Sequence, residues 1–475
     1  ANKNTDYQLK EIIATIQREQ NEAIRLGIGR PVLIQGVAGS GKTSIALHRI
    51  SYLLYQYRDQ LKAEHILILA PNRMFIQYMQ SILPDLEIER IQQSTLSDLT
   101  RSAVGWIRQV RMPQERLLDV WQSGAAADRK MAVIRYKSSL SFMQAVDRFV
   151  DRLSDHAMAA GDFDLPTVSG EPLSFADRAR KFYEGYRHLP LQTRLQETVK
   201  SVKNWMDMEF REQTKQIENE VLAFQSWLRR GLTDEDRNVQ SFAKALHEMA
   251  EFKAKRLRET WDAVFRKWSA RLTVPKLPDL YRQLHNPDLI SALDPHIPAE
   301  LLPEWESSCP PLEKGIVHYE DLAALLHLQQ RMNGLPLTYD YLVIDEAQDV
   351  SPYMMAVFKT VARSMTVLGD VTQSVFGFCG TEHWDEWAKP LYGDTMARLD
   401  LTVSYRSTYE IMSFANKIIQ NAKLPYPEIR PFRRHGERPV VTEIKSGAEL
   451  VQHLQKAIER MLARGHRKIT VISKD

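Results

Sequence analysis

The chain has 475 residues, of which 44% are hydrophobic and 26% are charged. This composition excludes disordered, collagen-like and fibrous proteins, and the length implies more than one domain. Its 63 basic and 60 acidic residues leave a net charge of +3, which neither supports nor excludes a nucleic-acid partner. Two cysteines are too few for a disulfide framework, and no apolar run approaches the roughly 20 residues that cross a bilayer. We therefore expect a multidomain cytoplasmic protein without membrane contact.

The first predicted elements are a helix, a strand, a glycine-rich turn and a second helix. Apolar residues from Ile12 to Ile24 recur at three- and four-residue spacings, which predicts an amphipathic helix. The run Val32 to Ile34 predicts a strand, and apolar positions from Ile45 to Leu54 predict the helix that follows the turn. Further apolar runs alternate with helical patterns at residues 66–70, 341–344, 365–368 and 399–403. This alternation predicts an α/β fold with a parallel, doubly wound sheet.

Long helical patterns interrupt this alternation between about Arg101 and Pro311. They contain seven of the nine tryptophans of the chain. Basic and acidic residues are nearly balanced there, so no basic stripe that would track phosphates is evident. We predict a large all-helical insertion domain at residues 104–310. It divides a first α/β domain into residues 1–103 and 311–397, and an incomplete second α/β domain follows at residues 398–475.

A phosphate-binding loop is predicted between the first strand and the next helix. It matches the P-loop pattern at every fixed position and consists of Gly36, Val37, Ala38, Gly39, Ser40, Gly41, Lys42 and Thr43. Backbone N–H groups and the helix N-terminus are expected to surround the phosphates of ATP. Lys42 is expected to reach the β and γ phosphates, and Thr43 to bind Mg²⁺. We assign the next residue, Ser44, to the same site.

Polar residues after two later strands are expected to complete the nucleotide site. Asp345 follows the run Tyr341 to Ile344 and is predicted to hold Mg²⁺. Glu346 is predicted to polarise the water that attacks the γ phosphate. Gln373 follows the next strand and is predicted to sense the γ phosphate, with a bland polar loop as the alternative.

A tyrosine and an arginine follow the apolar run at residues 399–403. Tyr405 is predicted to stack on adenine. Arg406 is predicted to reach the γ phosphate across a domain interface, as catalytic arginine fingers do. The alternative is a structural surface pair, which is the commoner role of such residues.

Taken in order, these segments resemble the superfamily 1 helicases of the UvrD/Rep type, and more closely the HelD group that associates with RNA polymerase. The resemblance covers about half of the chain. It includes Gln20, which would be the glutamine that recognises adenine. The narrower resemblance to HelD depends on residues 46–55, residues 69–75 and the large helical insertion.

This resemblance implies a P-loop NTPase with RecA-like parallel sheets and ATP in the cleft between two such domains. It also implies RNA polymerase core as the partner, with DNA or RNA as further ligands, and a monomer as the expected state. The insertion would act as an arm in the main DNA channel of the polymerase. The long N-terminal arm and the C-terminal end of HelD relatives have no counterpart in this sequence. We therefore expect it to bind ATP weakly and to hydrolyse it poorly or not at all.

The chain departs from DNA-translocating relatives at positions that contact bases. It has Ala70-Pro71 where they usually carry Thr-Phe, and Leu96-Ser97 where they carry a Phe-His pair. Phe376 and Phe378 match base-stacking positions, with core packing as the alternative, and Cys379 replaces a usual arginine. Stacking on one base is worth about 1 to 3 kcal/mol, so these changes favour an ATPase that grips DNA weakly.

The function that we predict from the sequence is therefore ATP-dependent remodelling of RNA polymerase, with release of nucleic acid and recycling of stalled complexes. The alternative is a translocase or helicase of the UvrD/Rep type that moves on single-stranded DNA. A third interpretation is a polymerase-binding module in which the nucleotide site is vestigial or only regulatory.

Overall fold

A computed structural model describes residues 20–158, 164–230, 237–422, 429–431 and 434–471. The chain divides into two compact units, the first ending at Leu401 and the second beginning at Thr402. Most of the predicted first helix lies outside the described residues. Its described part, residues 20–25, is helical and is named α1.

The first unit contains ten strands in the described part of the chain. They are β1 (Val32–Gly36), β2 (Ile66–Ala70), β3 (Gln92–Thr95), β4 (Gln109–Arg111), β5 (Asp164–Leu165), β6 (Leu173–Ser174), β7 (Ile316–His318), β8 (Tyr339–Ile344), β9 (Ala362–Gly369) and β10 (Ala397–Leu401).

Helices and short 3₁₀ turns connect these strands. The further helices of the first unit are α2 (Lys42–Gln56), α3 (Arg73–Ile82), α4 (Leu96–Val104), α5 (Pro113–Trp121), α6 (Ala127–Lys137), α7 (Leu140–Met158), α8 (Phe175–Gly185), α9 (Leu191–Arg229), α10 (Arg237–Ser269), α11 (Leu277–Gln283), α12 (Pro287–Leu293), α13 (Leu302–Trp305), α14 (Leu322–Asn333), α15 (Pro352–Val361) and α16 (Ala388–Tyr392).

Six parallel strands form the central sheet, in the order β10-β1-β9-β8-β2-β3. The predicted α/β class with a parallel sheet is therefore confirmed. Because the strands are parallel, their carboxyl ends meet at one edge of the sheet, where α/β proteins bind ligands. The loops after β1, β8 and β9, which carry the predicted site residues, are therefore neighbours.

Two hydrophobic cores cover the two faces of the sheet. Side chains alternate between them along each strand: Ile34 packs with Ile45 of α2 on one face, while Leu33 belongs to the core on the other. The strands are buried on both faces, which explains why they are continuous apolar runs in the sequence. This rigid layer fixes the positions of the loops at its carboxyl edge.

The predicted insertion, residues 104–310, contributes to the core of the sheet as well as to a core of its own. Phe142 of α7 and Trp305 of α13 are buried in the same cluster as Leu342 of β8. Helices α8, α9 and α10 form a second cluster around Phe175 and Trp261. Helices α8 and α9 also reach the first cluster, through Tyr183, Leu191 and Leu195, so this second core is joined to that of the sheet at one end.

Residues 104–310 are not helical throughout, which corrects the prediction of an all-helical insertion. Strand β4 pairs in parallel with β7, and β5 pairs antiparallel with β6. The N–H groups of Arg108 and Gln109 both donate to the carbonyl oxygen of Gly315, which starts the first pairing. The extended segment before Pro113 therefore finds its partner outside the insertion.

The predicted strand at residues 399–403 is divided between the two units. Strand β10 pairs with β1 from Ala397 to Leu401 and completes the first sheet. The first unit thus extends four residues past the boundary expected after residue 397, because the hydrogen bonds to β1 hold this strand in the sheet. In the described part of the chain, no helix combines the length and the apolar character needed to span a membrane.

The second unit has a short pair of strands and two helices among its described residues. Strands β11 (Val403–Ser404) and β12 (Arg430–Pro431) are parallel. The helices are α17 (Tyr409–Asn421) and α18 (Gly447–Ala463). The side-chain amide of Asn416 binds both the N–H and the carbonyl oxygen of Ile429, at 3.0 and 2.8 Å, and so fastens α17 beside β12.

Candidate nucleotide site

The predicted P-loop lies between β1 and α2 and has the backbone that a phosphate cradle requires. Gly39 and Gly41 have φ values of 76° and 85°, in the left-handed region where glycine is favoured. A Cβ atom on Gly36 would lie 2.6 Å from Ser40 Oγ, so this position also needs a residue without a side chain. No side chain caps the N-terminus of α2, which leaves its first N–H groups available to an anion.

Two buried polar side chains make the loop suitable for a polyphosphate. The Lys42 ammonium group is buried and donates a 2.7 Å hydrogen bond to the carbonyl oxygen of Gly36. Ser40 is 1% exposed, and its hydroxyl has no hydrogen-bond partner among the described residues. Buried polar groups normally have partners, so this set of donors fits the phosphate groups of a nucleotide.

The two predicted Mg²⁺ ligands lie side by side. Thr43 Oγ1 donates a 2.8 Å hydrogen bond to Asp345 Oδ2, which joins the start of α2 to the end of β8. Burial, and next the carboxylate of Glu346, raise the pKa of Asp345 to about 6, against the lowering effects of Thr43 and Lys42. One hydroxyl and one carboxylate suit Mg²⁺, which commonly binds one or two carboxylates together with phosphate oxygens and water.

Glu346 occupies an unusual backbone conformation at the start of the turn after β8. Its φ and ψ are 51° and 44°, a left-handed conformation that non-glycine residues rarely adopt and that is often found at functional sites. Its side chain accepts a 2.8 Å hydrogen bond from Gln348 Nε2. The turn therefore presents the predicted catalytic carboxylate in one fixed orientation.

Gln348 is a site residue that the sequence reasoning missed. It is 4% exposed, and its Oε1 accepts a 2.9 Å hydrogen bond from the N–H of Asp370. Its amide thus bridges Glu346 to the loop after β9. The signal that could have indicated it is a long polar residue in a turn enclosed by apolar strands, where a buried amide needs partners on both sides.

Gln373 lies in the loop after β9, as predicted, but its amide is bonded within that loop. It is exposed and donates to Asp370 Oδ2. The other oxygen of Asp370 accepts from Gln35 Nε2 at 2.8 Å and from Thr372 Oγ1 at 2.7 Å. The structure therefore connects Gln373 to Glu346 through Asp370 and Gln348, and its role as a γ-phosphate sensor stays a prediction.

The remaining predicted ligands lie in three different places. Gln20 lies beside the P-loop, with its Nε2 donating to the carbonyl oxygen of Ser40 at 3.4 Å. Ser44 is exposed on the first turn of α2. Tyr405 and Arg406 follow β11 in the second unit, where Tyr405 is half-buried and Arg406 is exposed. The predicted contacts of these four residues with the nucleotide stay predictions.

A small cavity lies next to the paired carboxylates. Its volume is about 290 Å³, and it is lined by Glu346, Asp349 and Phe376 and by the positions that differ from DNA-translocating relatives: Ala70, Pro71, Leu96 and Ser97. Burial, and next Glu346, raise the pKa of Asp349 to about 6. The substituted positions thus form one surface beside the nucleotide site.

Phe378 is packed in a core and is not a surface platform. It is 6% exposed and belongs to a cluster with Val120 of α5 and Ile134 of α6. The ring of Phe376 packs against this cluster, 6.2 Å from that of Phe378. Core packing, the alternative that the sequence left open, therefore describes Phe378.

Comparison with known proteins shows that this chain is similar to helicases. The family described as the UvrD/REP helicase N-terminal domain matches residues 16–384, which include the P-loop, both carboxylates, Gln20 and Gln373. A subunit of an ATP-dependent helicase/nuclease from Exiguobacterium sibiricum is 24% identical over 479 residues, covering 85% of this chain and 39% of that protein.

Two further relatives match shorter parts of the chain. The helicase/nuclease protein of the same description from Lacticaseibacillus casei is 26% identical over 228 residues, which is 42% of this chain and 17% of its own length. A probable DNA helicase II homolog from Mycoplasma capricolum is 22% identical over 169 residues, or 33% of this chain and 23% of its own. The chain therefore spans well under half the length of each of these relatives.

Proposed function

This chain belongs to the family of UvrD/REP helicase N-terminal domains, and from that membership we propose that it is a Mg²⁺-dependent ATPase that drives a conformational cycle. The helicase family uses ATP and Mg²⁺ in general. The observation that carries the proposal is the 2.8 Å contact between Thr43 and Asp345, because it brings the P-loop and the acidic strand end together in the arrangement that phosphoryl transfer needs.

Each residue of the site has a chemical task in this proposal. The P-loop N–H groups and Lys42 hold the β and γ phosphates. Thr43 and Asp345 hold Mg²⁺, which supplies neutralisation of phosphate charge. Glu346, oriented by Gln348, accepts a proton from the attacking water. The water oxygen bonds to the γ phosphorus while the bond from that phosphorus to the β–γ bridging oxygen breaks, giving ADP and inorganic phosphate.

For the partner, we propose RNA polymerase core, as in the HelD group that the sequence resembles. The support is the loss of aromatic side chains at two positions beside the nucleotide site. The cavity there carries Ala70, Pro71, Leu96 and Ser97 and keeps Phe376, while Phe378 is buried in a core. Since stacking contributes about 1 to 3 kcal/mol for each base, a strand would bind weakly on this surface. The result of the cycle would be release of nucleic acid from stalled polymerase.

A second candidate is a translocase or helicase that moves on single-stranded DNA. The relatives favour it, because their descriptions name helicases and a DNA helicase II homolog. In that case, nucleic acid would be the direct track of the motor and would stimulate its ATPase activity. In the third interpretation, polymerase binds but the nucleotide site has only a regulatory role.

The test is capture of this chain by core RNA polymerase, beside a titration with single-stranded DNA at several salt concentrations. Deletion of residues 104–310 is a poor control, because it would remove Phe142 and Trp305 from the core of the sheet. A better control replaces residues 219–250 with a short Gly-Ser linker, which keeps the core around Trp261 and Phe175.

Three outcomes separate the candidates. Polymerase capture that the shortened variant loses, together with weak DNA binding, supports the polymerase proposal. Tight DNA binding that falls steeply with salt, with DNA-stimulated ATPase activity and no polymerase capture, supports the translocase. Polymerase capture without any ATP hydrolysis supports the third interpretation.

A further inference from the structure

Arg49 is a buried arginine on α2 that the nucleotide chemistry described above does not use. It is 1% exposed, and it makes no ion pair with any carboxylate of the described residues. A buried cation is costly unless its donors are satisfied. The contacts that satisfy this guanidinium group therefore indicate what holds it in place.

One side of the guanidinium group binds the C-terminal end of α1. It donates to four carbonyl oxygens there: Ala23 at 3.0 Å, Ile24 at 3.2 Å, Leu26 at 2.6 Å and Gly27 at 3.4 Å. The last carbonyl groups of a helix lack partners inside the helix and carry partial negative charge. Arg49 thus caps α1 from a neighbouring helix.

The other side of the guanidinium group is fixed to the sheet. Arg49 Nε donates to Tyr341 Oη at 3.1 Å and to Thr366 Oγ1 at 2.8 Å, and Nη2 donates to Tyr341 Oη at 2.9 Å. The two hydroxyl groups also bind each other at 2.6 Å. Tyr341 is on β8 and Thr366 is on β9. One side chain therefore ties α1 to the two strands that lead to Asp345 and Asp370.

Gln20 is carried by the same short helix. It is three residues before Ala23, which is about 4.5 Å along a helix axis, and residues at this spacing lie on one face. Its Nε2 donates to the carbonyl oxygen of Ser40, so this contact sets which end of the amide is the donor. If the C-terminal end of α1 were released, the position of Gln20 beside the P-loop would no longer be fixed.

We propose that Arg49 is a positioning residue for base recognition: by capping α1 against β8 and β9, it holds Gln20 in the orientation that favours adenine over guanine. The inference rests on the proposed nucleotide function. A glutamine amide pairs with the N6 amino group and N7 of adenine, whereas guanine has an acceptor, O6, in place of that amino group. A fixed amide discriminates between the two bases, whereas a loosened amide can turn so that its NH₂ group donates to O6 or N7 of guanine.

The first test compares Arg49→Lys with the wild-type chain in binding fluorescent adenine and guanine nucleoside diphosphates with Mg²⁺. Lysine keeps the charge but loses the fork of donors. We expect the preference for adenine to fall about ten-fold, corresponding to the loss of one or two hydrogen bonds, with guanine affinity changed less than about two-fold. The double variant Arg49→Lys and Gln20→Ala should show no further loss of the preference for adenine beyond that of Arg49→Lys alone.

A second pair of variants keeps the test decisive if Arg49→Lys does not fold. Tyr341→Phe removes a hydroxyl that anchors Arg49, and Tyr353→Phe removes the equally buried hydroxyl that pairs with His327 Nδ1 at 2.9 Å. We expect Tyr341→Phe to lower the adenine preference about three-fold and to speed hydrogen exchange at residues 21–27. Tyr353→Phe should change neither.

The outcomes distinguish this inference from the proposed function on which it rests. If the wild-type chain binds adenine nucleotides and every variant keeps the wild-type base preference and exchange rates at residues 21–27, Arg49 has only a structural role and the inference fails alone. If the wild-type chain binds no nucleotide, the proposed function fails and the inference fails with it.

Discussion

The hydroxyl of Thr43 donates a 2.8 Å hydrogen bond to the carboxylate of Asp345, although 302 residues separate them in the chain. The parallel sheet makes this contact possible, because β1 and β8 end at the same edge with only β9 between them. The contact is kept despite the interruption by residues 104–310, because those residues begin at the end of α4, after β3, and end before β7 and β8.

Asp345→Asn should remove the metal-binding carboxylate while keeping its shape. We expect ATP hydrolysis to fall by at least about a hundred-fold, because the site loses one charge that helps to hold Mg²⁺ against the phosphates. Phosphate release at saturating ATP and Mg²⁺ measures the effect. Asp340→Asn is the matched control, since Asp340 is on β8, which Asp345 directly follows, and pairs with His65 and Arg363 away from the site. Equal activity of the two variants would contradict the assigned role.

Gln348→Ala tests the bridge between Glu346 and Asp370. We expect kcat to fall about ten-fold or more, because Glu346 loses the hydrogen bond that orients it, with little change in KM for ATP because no phosphate contact is removed. The control is Gln330→Ala, which deletes an amide contact away from the site, between α14 and Thr360 on α15. A rise in KM with kcat unchanged would show that Gln348 serves binding and not the chemical step.

The pH dependence of stability should report the buried imidazole of His285. Its Nδ1–H donates to the carbonyl oxygen of Tyr281, and its Nε2 has no partner among the described residues. Burial, and next the Lys137 ammonium group, lower the pKa of His285 to about 3. In the unfolded chain His285 is protonated below about pH 6.5, whereas in the folded chain it stays neutral down to about pH 3. This residue therefore makes the folded protein less stable as the pH falls from 6.5 towards 3.

From this shift, we expect His285 to lower the free energy of unfolding by about 2 kcal/mol between pH 7 and pH 5. Urea unfolding of the wild-type chain and of His285→Leu at both pH values isolates this contribution from those of other titrating groups. The variant should lose less stability between the two pH values than the wild-type chain does. His156→Leu, at an exposed position, should keep the wild-type dependence, and a similar change in both variants would refute the prediction.

The buried ion pair between Lys137 and Asp321 should be sensitive to removal of one partner. The two side chains are 0% exposed and 2.9 Å apart. Burial opposes the ionisation of Asp321, but Lys137 together with His318, His285 and the Tyr281 hydroxyl outweighs it, so the pKa of this carboxyl group lies well below its usual value. Lys137→Met leaves the carboxylate buried without its cation, which should lower the free energy of unfolding by about 3 to 5 kcal/mol.

Arg135→Met is the matched control for this pair, because Arg135 is on the same helix, α6. Its ion pair with Glu382 is exposed, with side-chain accessibilities of 59% and 48%, and exposed pairs contribute about 0 to 1 kcal/mol. Denaturant unfolding of the two variants should therefore give clearly different midpoints. Similar midpoints would mean that the other groups around Asp321 compensate for the loss of Lys137.

The sequence predicted the sheet and the nucleotide loops because their signals are local. Ile66 to Ala70 is a continuous apolar run that matches β2 residue for residue, and the P-loop pattern specifies its own backbone. The strands around its turn indicate that Gln348 is buried, but its partners, Glu346 and Asp370, depend on how the turns after β8 and β9 meet in space. An amphipathic pattern also does not indicate which core a helix joins. Only the packing shows that Phe142 belongs to the core of the sheet and Trp261 to the second, helical core.

Helix α9 contains 39 residues, and at 1.5 Å for each residue it is about 58 Å long. Such a rod works as a lever. A rotation of about 5° at its base would move its far end by about 5 Å, which exceeds the roughly 3.4 Å between successive nucleotides of one DNA strand. A small rotation at the base, where Leu191 and Leu195 pack in the core of the sheet, would therefore be amplified at the exposed aromatic pair near the far end, Phe224 and Trp227.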